Sequence, residues 1–68
     1  MNQLDARGLS CPEPVILIRQ AMQSGDAAYE MTVDNHAAKE IVTRYAEHQG
    51  YTVTVRQEGG DYTLTMQK

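Results

Sequence analysis

Apolar and polar positions alternate with period two in four stretches of the chain and follow a helical period in two others. In residues 2–6, Leu4 and Ala6 fall on one side and Gln3 and Asp5 on the other, which predicts a short strand. Gly8 interrupts it. From about Pro12 to Ser24 the period lengthens, with Val15, Ile18 and Met22 on one stripe and Leu17 and Ala21 beside it. This predicts an amphipathic helix closed by Gly25. Residues 28–33 alternate again, Tyr29, Met31 and Val33 against Ala28, Glu30 and Thr32. Asp34-Asn35 then offers two N-cap candidates for a second helix running to about Gln49. Its buried stripe is expected to be Ala38, Ile41, Val42 and Tyr45, its wet side Lys39, Glu40, Thr43, Arg44 and Glu47. After Gly50, Tyr51-Val53-Val55 and Tyr62-Leu64-Met66 alternate with threonine-rich partners on either side of Gly59-Gly60, the pattern of a hairpin.

The order is β-α-β-α-β-β. Each strand has one apolar side and each helix one apolar stripe, so the economical packing is an α+β two-layer βαβαββ sandwich. A four-stranded mixed sheet would carry both helices on one face. The other face, with Glu30, Thr32, Thr52, Thr54, Arg56, Thr63 and Thr65, is expected to meet water or a partner. A right-handed crossover makes the first two strands parallel. Both helix N-termini then share one sheet edge, where ligand sites of α/β units gather. The segment Gly8-Leu9-Ser10-Cys11-Pro12 is therefore expected near Asp34-Asn35-His36.

At 68 residues the chain is expected to form a single domain over 1–68. Six Lys and Arg stand against nine Asp and Glu, a net charge of −3, which is the opposite of a nucleic-acid binder's balance. No apolar run approaches the roughly 18–20 residues of a membrane span, and residues 1–5 do not resemble a signal peptide. One cysteine excludes an internal disulfide framework and any Cys-x-x-Cys pair. These features predict a cytoplasmic domain with a free thiol and no cofactor. His36 and His48 lack the spacing to join Cys11 at a metal.

The chemistry is concentrated in Cys11-Pro12-Glu13-Pro14. A helix accepts proline only in its first turn, where backbone N–H groups have no internal partner. With Cys11 as N-cap, Pro12 is N1 and Pro14 is N3, and neither deletes a hydrogen bond. A thiol so placed sits at the positive end of a helix dipole, which favours thiolate. Glu13 opposes that charge and Arg7 is expected to offset Glu13. The bland alternative is that a lone cysteine serves as a small buried hydrophobe before an ordinary N1 proline. Met22, Met31 and Met66 read as core.

Residues 5–15, Asp5-Ala6-Arg7-Gly8-Leu9-Ser10-Cys11-Pro12-Glu13-Pro14-Val15, resemble the signature of the TusA/SirA/YedF family. The resemblance extends over essentially the whole chain. Val33-Asp34-Asn35-His36-Ala37-Ala38-Lys39-Glu40 and Ala46-Glu47-His48-Gln49-Gly50-Tyr51 look most like the YedF branch, which is associated with selenium metabolism. The resemblance implies the same βαβαββ fold. It also implies a sulfur carrier, a sulfurtransferase-like role in which Cys11 takes a persulfide from a cysteine desulfurase or rhodanese-like donor and passes it to a sulfur-relay acceptor. Carried over by position, Pro12 and Pro14 shape the turn, Asp5 and Gly8 form its approach, and Arg19, with Asp34 and Asn35 after the second strand, is available to partners. Chains of the YedF branch usually continue into, or work with, a DsrE-like domain. Ser10 replaces the basic residue that often precedes the cysteine in thiouridine-pathway carriers.

Two other readings compete. His36 could act as a base toward Cys11 in a cysteine-nucleophile enzyme, although nothing in the sequence orients it. A non-catalytic regulatory or interaction module, even one binding RNA, is the alternative of another class. Against it, Arg19, Lys39, Arg44 and Arg56 fall on different elements and form no basic stripe.

Overall fold

In the computed structural model, residues 2–10 and 12–68 are described, Asn2 by its backbone alone. Six elements follow in the expected order: β1 (Asn2–Asp5), α1 (Glu13–Met22), β2 (Ala28–Val33), α2 (His36–His48), β3 (Thr52–Glu58) and β4 (Asp61–Gln67). They form one four-stranded sheet of order β1-β2-β4-β3. β1 runs parallel to β2, with Leu4 opposite Met31 and Asp5 opposite Thr32. β4 runs antiparallel to both of its neighbours, so that Met31, Leu64 and Val55 form one cross-sheet row. The mixed sheet and the parallel first pair are those the periodicity implies.

The core lies between sheet and helices. Ile18 from α1, Tyr29, Met31 and Val33 from β2, Ala38, Val42 and Ala46 from α2, and Leu64 and Met66 from β4 are buried. Tyr29 and Tyr51 meet edge to face with ring centroids 5.9 Å apart, a favoured aromatic geometry. The Tyr29 hydroxyl donates to Ala21 O at 3.0 Å, accepts from Asp26 N at 3.1 Å and lies 3.0 Å from Ser24 Oγ. A core aromatic thus also supplies the polar partners of the turn between α1 and β2. The alternation shows that Tyr29 points inward, but not what its hydroxyl meets.

Four details differ from the sequence-based expectation. α1 begins one residue late: Pro12 is the flanking residue, with non-helical φ −99° and ψ 16°, so Glu13 is N1 and Pro14 is N2. The Glu13 amide is held by Ser10 O at 2.9 Å, and the first helical acceptor is Pro12 O, which takes the Ile16 amide at 3.1 Å. Both prolines still precede the point where a missing N–H would matter. Ile41 is 37% exposed, and Ala46 takes its place in the buried stripe. Val55 is 41% exposed because β3 is an edge strand. Conversely, Thr63 on the open face is only 8% exposed, since Thr32 and Arg56 flank it in register.

Candidate functional site

Two loops meet beyond the C-terminal ends of β1 and β2. The first continues from β1 through Ala6, whose buried position and 2.8 Å bond from its amide to Thr32 O extend the parallel pairing by one residue. The Leu9 amide returns to Ala6 O at 3.3 Å and closes a tight turn. Gly8 occupies the third position of that turn with φ +80°, a backbone region that side-chain-bearing residues enter only at a cost. A second turn follows, closed by Glu13 N and Ser10 O. Cys11 belongs to this segment by sequence. Its expected role as N-cap passes to Pro12, and its own placement and ionisation lie outside the described residues.

The second loop reaches back to the first. Asn35 supplies the N-cap of α2, its Oδ1 accepting the Ala38 amide at 2.8 Å. Asp34, the other cap candidate, instead accepts the Gly8 amide on Oδ2 at 2.7 Å and the Asn35 side-chain amide on Oδ1 at 3.0 Å. These two bonds, the Gly8 amide first, hold the Asp34 carboxyl below the ordinary carboxylate range. The expected proximity of segment 8–12 to Asp34-Asn35 is thus realised by a direct bond. Asp34 and Asn35, read as partner-facing, remain exposed but use their side chains within the chain.

Arg7 grips Asp5 bidentately, Nε to Oδ1 at 2.9 Å and Nη2 to Oδ2 at 2.9 Å, while its amide donates to Oδ1 at 3.0 Å. Nη1 also lies 3.6 Å from Asp61 on β4. The Arg7 hydrogen bonds lower the Asp5 pKa to about 2. This positive charge is committed to two carboxylates, so the expectation that it offsets Glu13 gains no contact among the described residues. In the loop that precedes the cysteine segment, Asp5 anchors Arg7 and Gly8 turns the chain.

Pro14 is fully buried and packs as a core residue, whereas Pro12 and Glu13 are exposed. Glu13, Leu9, Ile16, Leu17 and Gln20 line an open groove of about 290 Å³ on α1. Ile16, 47% exposed, is the largest apolar exposure beside the cysteine segment. Its exposure was legible in the sequence: four consecutive apolar residues, Val15 to Ile18, cannot all face inward when each turns about 100° from the last. Arg19, exposed near the end of α1, borders a smaller groove with Ile16, Gln20 and Gln23 and makes no ion pair among the described residues. His36 Nε2 lies 3.4 Å from Glu40 Oε1 on the surface of α2, an i,i+4 contact. Among the described residues no three of His, Asp or Glu gather as metal ligands.

This arrangement is a short, internally braced loop with an apolar groove beside it and a single thiol in its segment. A two-layer βαβαββ fold is what the resemblance to the TusA/SirA/YedF family implies. The family profile described as sulfurtransferase TusA matches residues 2–68, and the chain belongs to that family. It is 37% identical over 60 residues to a protein of Methanocaldococcus jannaschii named as a candidate sulfur carrier, covering 85% of this chain and 80% of that one. Its structure is similar to the crystal structure of a SirA-like protein from Desulfitobacterium hafniense. That match has a TM-score of 0.89 and 30% identity, and covers 98% of this chain and 96% of the other. Among the described residues no helix is long and apolar enough to cross a membrane.

Proposed function

We propose that this chain relays sulfur as a persulfide on Cys11 between two partner proteins in the cytoplasm. The observation that carries the reading is the TusA-family match over residues 2–68, a span that holds one cysteine. The Cys11 thiolate attacks the outer sulfur of a persulfide on the donor, a cysteine desulfurase or rhodanese-like protein. A new S–S bond forms on Cys11, the donor's S–S bond breaks, and the donor leaves as a thiolate. Handover repeats the exchange: a thiolate of the acceptor, a sulfur-relay protein of DsrE-like type, takes the outer sulfur and Cys11 leaves as thiolate. A chain with one cysteine has no internal thiol to collapse the persulfide into a disulfide. The groove beside Leu9 and Ile16 gives the donor an apolar surface next to the reacting segment. The YedF-like residues 33–40 and 46–51 support a link to selenium metabolism through that branch, with no residue that selects selenium over sulfur.

The test is intact-mass spectrometry of the chain after incubation with cysteine and a cysteine desulfurase. A reducible gain of one sulfur atom, absent from Cys11→Ser, supports the relay. Equal labelling of both proteins, or of neither, overturns it.

A further inference from the structure

We propose that Asp34 is a positioning residue for the loop that leads to Cys11, its carboxylate clamping the Gly8 amide so that the turn at residues 6–9 is held in one conformation for sulfur exchange. The argument begins with the backbone. Gly8 adopts φ +80° with nothing within 4 Å of where a side chain would sit. Ala6 and Leu9 anchor the ends of the turn against the core, and hydrogen bonds hold the exposed residues between them. Three amides of the turn are held: Leu9 by Ala6 O at 3.3 Å, which is long, Arg7 by Asp5 Oδ1 at 3.0 Å, and Gly8 by Asp34 Oδ2 at 2.7 Å, the shortest of the three and charge-assisted. The bond on Gly8 itself therefore comes from 26 positions away, whereas the others are local.

Asp34 is itself braced. Asn35 Nδ2 donates to its Oδ1, and Asn35 Oδ1 in turn caps α2 through the Ala38 amide. One line of bonds therefore runs from the body of α2 through Asn35 and Asp34 to Gly8, three residues before Cys11. Both carboxylate oxygens have internal partners, which gives Asp34 a role distinct from docking. The hydrogen bond from Gly8 favours the ionised carboxylate and lowers its pKa. A thiolate that must meet a donor persulfide in line gains from such a restraint, because small misplacements of a reacting group cost rate steeply.

This assignment rests on the relay reading, and its test separates the two. Asp34→Ala and Asp34→Asn both remove the charge, but only asparagine keeps an oxygen that can accept from Gly8. Two rates are measured well below the melting temperature of each variant: iodoacetamide alkylation of Cys11 across pH, and single-turnover sulfur uptake from a loaded desulfurase. Asp34→Ala should take up sulfur roughly five- to tenfold more slowly, with its alkylation profile displaced from that of Asp34→Asn, and Asp34→Asn should recover most of the uptake rate. Identical alkylation profiles and uptake rates in the two variants overturn the assignment, even if alanine lowers the melting temperature. If the wild-type chain takes up no sulfur, the relay reading fails, and the alkylation comparison still decides the role of Asp34. Should Asp34→Ala not fold, the Gly8 amide resonance of the wild-type chain decides: movement with the Asp34 titration supports the clamp, and indifference to it overturns the clamp.

Discussion

The Gly8 amide donates to the Asp34 carboxylate at 2.7 Å, joining the loops that follow the two parallel strands. The bond exists because a parallel crossover brings both loops to one sheet edge, and because Asn35 rather than Asp34 caps α2. It leaves Asp34 free to face the neighbouring loop.

Acid should loosen this edge. Both Asp5 and Asp34 have folded pKa values below the ordinary 3.8, Asp5 at about 2. A depressed carboxyl stabilises the fold fully above its unfolded value and loses that contribution as pH falls through the folded value. Denaturation midpoints should therefore fall as pH drops from 3.8 toward 2, and less steeply in Asp5→Asn/Asp34→Asn. Both groups are exposed, so added salt should flatten the Asp5–Arg7 part of the response. A profile identical in wild type and double variant would contradict this.

Gly8→Ala should cost about 1–2 kcal/mol, the penalty of a left-handed backbone for a residue with a side chain. Nothing lies within 4 Å of the added carbon, so the cost is conformational rather than steric. Gly8→Asn should recover part of it, since asparagine tolerates that region. Urea denaturation of the three chains gives the comparison.

Removing the α2 cap is a separate loss. Asn35→Ala leaves the Ala38 amide without its 2.8 Å acceptor and should destabilise the chain by about 1 kcal/mol, while Asn35→Ser, which can still cap, should stay close to wild type. Equal midpoints for alanine and serine would show that the cap contributes nothing.

Tyr29→Phe keeps the ring in the core but withdraws the hydroxyl from Ala21 O, Asp26 N and Ser24 Oγ. Partly buried polar groups then lose a partner, a cost of about 1–3 kcal/mol. Amide exchange at Asp26 should accelerate, which a purely aromatic role for Tyr29 does not produce.

Ile16→Ala separates folding from function. The side chain is 47% exposed, so stability should change by no more than about 0.5 kcal/mol. Sulfur uptake from a desulfurase should nonetheless weaken, chiefly as a higher KM, because the groove loses its most exposed apolar member. An unchanged KM would remove this groove from the docking surface.

The chain's own residues, read in order, determined the six elements, the inward alternation of Tyr29, Met31, Val33, Leu64 and Met66, and that both prolines sit at the start of α1, though one position off the expected register, because periodicity and proline chemistry act over a few neighbouring positions. The resemblance at residues 5–15 pointed to the family on the same local footing. Only the tertiary structure decided that Val55 and Ile41 face outward, that Thr63 is covered, that Arg7 turns to Asp5 and Asp61, and that Asp34 holds Gly8. Apart from the Arg7–Asp5 grip, which joins residues two apart, these depend on which strand lies at an edge, how α2 is seated or which loop lies opposite, a matter of distances between residues far apart in the chain, which no local pattern carries.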